Sequence, residues 1–113
     1  MSVDERTLDW LERRRPAPPA ALFERMAEAV RAAGAAVEGV PPIPAALGTA
    51  ALDRLRAALQ APEGRAAALD LLAADALLTY ACEAAAEIGP EALEATTRAF
   101  GPDRLATLIP GRE

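Results

Sequence analysis

The chain has 113 residues, a net charge of −5, no histidine, and arginine as its only basic residue. That length suits one domain, and the charge leaves no basic surplus to release counterions from a phosphate backbone, which speaks against nucleic-acid binding. Alanine and leucine dominate, β-branched residues are scarce, and a single cysteine cannot form an internal disulfide. The expectation is therefore an all-α, compact bundle of five to six helices in a reducing, cytoplasmic setting.

Residues 2–15 predict a first helix. Ser2 with Glu5 three positions later is a capping box, in which each side chain satisfies the other's free backbone N–H. Asp4 and Glu5 come early and Arg13, Arg14 and Arg15 late, as the helix dipole favours. Leu8 and Leu11, with Trp10 beside them, make a narrow apolar face. Pro16, Pro18 and Pro19 then stop the helix. The stretch RRRPAPP could dock into an aromatic groove as an extended segment. Asp4, Glu5, Asp9 and Glu12 neutralise its arginines, so a helix end followed by a connector is the preferred reading.

A second helix is predicted over residues 19–33, with Leu22, Met26, Val30 and Ala33 at three- and four-residue steps and Gly34 just past its end. Residues 34–48 carry three prolines and three glycines and are expected to form an ordered Pro/Gly-rich loop spanning the bundle. The third helix is expected over about residues 49–60, or from one turn earlier, with Leu52, Leu55 and Leu59 buried. Pro62 and Gly64 separate it from the fourth helix.

The fourth helix, residues 65–88, is apolar nearly all round, which predicts a central position. Leu71, Ala74, Leu77, Leu78, Ala81, Ala85 and Ile88 are expected to face inward, and Asp75, Thr79, Glu83 and Glu87 to stack on the opposite ridge. That ridge is the candidate partner-facing surface. A membrane span is rejected because Asp70, Asp75, Glu83 and Glu87 would each cost a few kcal/mol near mid-bilayer, and no basic-then-apolar leader opens the chain. GPEALEAT from Gly89 and GPDRLAT from Gly101 each place Gly at a helix end, Pro first in the next helix and an acid in its first turn. They predict a fifth helix over 90–100, with Leu93, Thr97 and Phe100 inward, and a sixth over 102–109. Residues 110–113 are expected to fray.

Residues 75–89, DALLTYACEAAAEIG, resemble a helix of the trans-polyprenyl diphosphate synthases, where a Gly-Asp-Ala-Leu-Leu run is followed by an apolar segment and a Glu. Ala74 stands where that family has glycine. The family holds magnesium, and through it a diphosphate, with two Asp-Asp-x-x-Asp motifs; the six aspartates here include no adjacent pair. No residue role carries over.

Little else suggests chemistry. Asp75 and Glu83 are eight residues apart, about 12 Å along a helix, beyond the ~6.5–9.5 Å of inverting glycosidases. Asp70, in the first turn of its helix, is explained by the dipole. Cys82 has no histidine to activate it and Glu83 beside it, so a buried, inert thiol is expected. Tyr80 is expected in the core with its hydroxyl at the rim. Neither Thr96 nor Thr97 is marked as a phosphate ligand. No metal, cofactor or catalytic residue is expected.

The sequence thus predicts a non-catalytic helical interaction module that associates with a second copy of itself or with another protein. One alternative is a carrier of an apolar ligand, or an accessory subunit of a larger enzyme, with a pocket between the fourth helix and the 34–48 loop. The other is an acidic inhibitor or antitoxin-like partner of a basic protein.

Overall fold

A computed structural model describes residues 1–34, 36–61 and 63–108. The described residues form six helices and no strand: α1 (Val3–Glu12), α2 (Ala20–Ala32), α3 (Pro42–Gln60), α4 (Arg65–Ile88), α5 (Pro90–Ala99) and α6 (Pro102–Ala106). The all-α bundle expected from composition is the observed architecture. Pro62, Ile109 and the 110–113 tail lie outside the described residues.

The capping box forms as the sequence requires. The Glu5 backbone N–H donates to Ser2 Oγ at 3.1 Å, and the Glu5 carboxylate accepts from the Ser2 backbone N–H at 3.4 Å. Gly89 alone separates α4 from α5, closing one helix and opening the next with φ 153°, a conformation that side-chain-bearing residues rarely adopt.

The main departure is α3, which begins at Pro42 and not near residue 49. Pro41 is its N-cap, Pro42 its first residue and Pro44 its third, and the first helical bond runs from Ala45 N to Pro41 O at 2.9 Å. The leading N–H groups of a helix have no partner within it, so three prolines there lose nothing. The expected 34–48 loop shrinks accordingly to the residues before Pro42. Gly48 lies within α3, where a Cβ would overlap the Phe100 ring.

Helices α3 and α4 form the central pair. α4 touches α2, α3 and α5, and reaches α1 through side chains; α3 touches α1, α2, α4 and α5. Few large side chains are wholly buried, chiefly Leu11, Met26, Val30, Leu47 and Leu77. Alanines fill the rest: Ala29, Ala50, Ala51, Ala73, Ala81 and Ala84. Thr7 and Thr96 are also buried, their hydroxyls donating to Val3 O and Ala92 O one turn back, both at 2.7 Å.

Several inward assignments change. The buried face of α4 is Asp70, Ala73, Ala74, Leu77, Ala81, Ala84 and Ala85, rotated from the expected one. Leu71 is 54% exposed and Ile88 60%. On α3 the buried stripe stops at Leu52; Leu55 is half-buried and Leu59 is 46% exposed. α5 turns Ala92 and Thr96 inward and leaves Thr97 exposed, whereas Phe100 is buried as expected. α6 buries no residue fully.

Candidate functional site

Asp75, Thr79 and Glu83 stand exposed on the outer side of α4, with Thr79 Oγ1 donating to Asp75 O at 3.0 Å. Glu87 leaves this ridge. One of its carboxylate oxygens accepts from Trp10 Nε1 at 3.0 Å and the other from Arg14 Nη1 at 2.9 Å. The Arg14 guanidinium lies 3.8 Å over the Trp10 ring, and Tyr80 meets that ring edge-on, 6.0 Å between centroids. The Trp10 hydrogen bond first, and then the Arg14 hydrogen bond, hold the Glu87 carboxyl below its ordinary range. Glu87 therefore fastens α1 to α4, and the predicted four-residue ridge reduces to three.

Asp70 is not a first-turn acid explained by the dipole. It lies on the buried face of α4 and is 6% exposed. Its Oδ1 accepts from Arg25 Nη1 on α2 at 3.2 Å and from Arg54 Nη1 on α3 at 3.4 Å. Arg54 also donates to Asp53 at 2.8 Å. The Asp53 hydrogen bond raises the guanidinium's already high pKa against the burial that lowers it, and Arg54 Nε is buried without a hydrogen-bond partner. This cluster ties three helices together, and its two acids balance its two arginines. Partners 45 and 16 residues away from Asp70 leave no local signal in the sequence.

The rotation of α4 opens an apolar groove. Ala51, Leu52 and Leu55 of α3, Leu71, Ala74, Asp75 and Leu78 of α4, and Leu105 of α6 line a volume of about 170 Å³. Asp75 is the one charged residue among them. Leu59, one turn beyond Leu55 on α3, is also exposed. Five leucines in the lining, Leu71 among them exposed, make this concavity strongly apolar.

The alternative of an apolar-ligand carrier places its pocket between the fourth helix and the Pro/Gly-rich segment; there Gly39 and Pro41 border an open depression with Ile88, Gly89, Pro90, Glu91 and Ala92, at the α4–α5 junction. Cys82 is a free thiol and half-buried, more open than the buried thiol expected. Among the described residues, no group of three or more Cys, Asp or Glu converges as a metal site would, and no helix is long and apolar enough to cross a membrane.

Compared with family models, curated proteins and solved structures, the chain matches none. The resemblance of residues 75–89 to a prenyl-synthase helix thus rests on those residues alone.

Proposed function

We propose that this chain is a non-catalytic helical interaction module of a reducing, cytoplasmic setting, and that it docks a protein surface on the face formed by α3, the outer side of α4, and α6. One observation carries this reading: Leu71 is more than half exposed beside a groove walled by Leu52, Leu55, Leu78 and Leu105. A leucine exposed beside an apolar concavity gains by burial against a partner's surface, which supports a docking role. Asp75, Thr79 and Glu83 along one edge supply the polar rim that interfaces carry around an apolar centre.

A groove of about 170 Å³ is smaller than the ~300–1,000 Å³ of ordinary small-molecule pockets. It accommodates side-chain anchors better than a whole apolar ligand, which favours docking over ligand carriage at this groove.

The test is a paired affinity purification from cells of origin with tagged wild type and tagged Leu71→Asp. The expected result is a protein, including an untagged copy of the chain itself, retained by wild type and lost by the variant at unchanged helicity and melting temperature. Identical retained sets exclude this face as the docking surface.

A further inference from the structure

The groove exists because of the way α4 is turned. At about 100° per residue, the buried face of this helix centres on Asp70. A face uniting Leu71, Leu77 and Leu78 would centre roughly 40–50° further round, on the groove side. That turn would keep Ala74, Ala81 and Ala85 inside. It would carry Leu71, now 54% exposed, and the half-buried Leu78 from the rim of the groove into it, against Ala51, Leu52 and Leu55 of α3. Apolar burial taken alone therefore favours a filled groove. The ends of α4 do not forbid the turn, since Gly64 and Gly89 cap it without a side-chain hydrogen bond. Glu87, which ties it to α1, is a long and half-exposed side chain that can follow.

Asp70 opposes the turn. The same motion draws its carboxylate away from Arg25 of α2 and Arg54 of α3. These contacts, at 3.2 and 3.4 Å, are long beside the ~2.7–2.9 Å of charge-assisted N–H···O bonds. Arg54 Nε is also buried without a hydrogen-bond partner. A charge cluster so imperfectly paired returns little of the hydration it gives up, although removing one member strands the others. Its effect lies in direction: the cluster is satisfied in the observed facing of α4 and broken in the leucine-rich one. We infer that Arg25, Asp70 and Arg54 form a facing lock, which holds α4 turned off its leucine-rich side and so keeps the groove between α3, α4 and α6 open.

The experiment removes the three charges together, as Arg25→Met, Arg54→Met and Asp70→Ala in one full-length chain, and uses Cys82 as the reporter. Cys82 is a free, half-buried thiol one residue beyond the buried Ala81, on the side that the turn carries inward. Circular dichroism and urea titration establish that the triple variant is folded, which is expected because apolar residues replace a buried charge cluster at little or no loss. Its Cys82 should react with a thiol reagent about tenfold or more slowly than in wild type, since a thiol withdrawn from water reacts only when the helix opens. Adding Leu71→Gln to the triple variant removes the reason to turn and should return Cys82 to the wild-type rate. A folded triple variant whose Cys82 reacts as fast as wild type or faster, or whose protection survives Leu71→Gln, overturns the inference. A triple variant that does not fold overturns it too, because the cluster then supplies stability and not direction. No partner enters the measurement, so its result and that of the paired purification are independent.

Discussion

Asp70 receives two guanidinium groups while almost wholly out of water, so its charge is balanced by protein and not by solvent. Breaking a buried pair from one side leaves charge without compensation and costs about 3–5 kcal/mol. Arg25 and Arg54 each keep some exposure, so Asp70→Asn is expected at the low end of that range, about 3 kcal/mol, read as a shift in urea midpoint. Asp53→Asn, which removes a more exposed partner of Arg54, should cost less than about 1 kcal/mol. Glu87 adds a pH dependence. Its folded pKa lies below its ordinary value of 4.5, so the stability that it contributes is complete above that value and is lost as pH falls through the lower, folded one. The melting-temperature difference between wild type and Glu87→Gln should be present at neutral pH and close in acid. A difference that persists unchanged in acid would show that the carboxylate's ionisation is not what fastens Trp10 and Arg14.

Gly48 shows how an element can override its own local preference. Alanine is better than glycine inside a helix by about 1 kcal/mol, so a helix considered alone gains from Gly48→Ala. In the fold the new Cβ would enter the ring of Phe100, itself 5% exposed, and overpacking costs about 1–3 kcal/mol. Gly48→Ala should lower the melting temperature, and Phe100→Leu in that background should recover part of the loss. The start of α3 was hidden from sequence reading for a related reason. Pro41, Pro42 and Pro44 look like helix breakers, and only their positions before the first required N–H make them helix openers. The capping box, the Gly89–Pro90 junction and the span of α4 were legible because each depends on residues close in sequence. The facing of α4 was not: with leucine or alanine on every side, its pattern does not choose an inner face, and the choice falls to Asp70, whose arginines come from α2 and α3. The same rotation turned Leu71 outward, so the acidic ridge could be read in advance and the groove beside it could not.

On the scale of the whole molecule, the alanine-rich interior concentrates stability in a few positions. A buried alanine contributes about one methyl group, whereas a leucine side chain contributes roughly 1.5–3 kcal/mol when removed from water. Among the described residues, only Leu11, Met26, Leu47, Leu77 and Val30 are large apolar side chains that are wholly buried, in helices that alanine holds too close for neighbours to refill a gap without moving. Domains of this size are stable by about 5–15 kcal/mol in total, and a buried Leu→Ala costs about 2–5 kcal/mol with its cavity. Leu77→Ala should therefore remove a large share of the total, and a measurable unfolded fraction at room temperature is the expected outcome by circular dichroism and urea titration. Leu71→Ala, on the same helix and the same chemical change, should shift stability by less than about 0.5 kcal/mol when measured at a protein concentration too low for association. The two leucines separate core from docking face: if they destabilise the dilute chain equally, Leu71 belongs to the core and the groove is not a surface awaiting a partner.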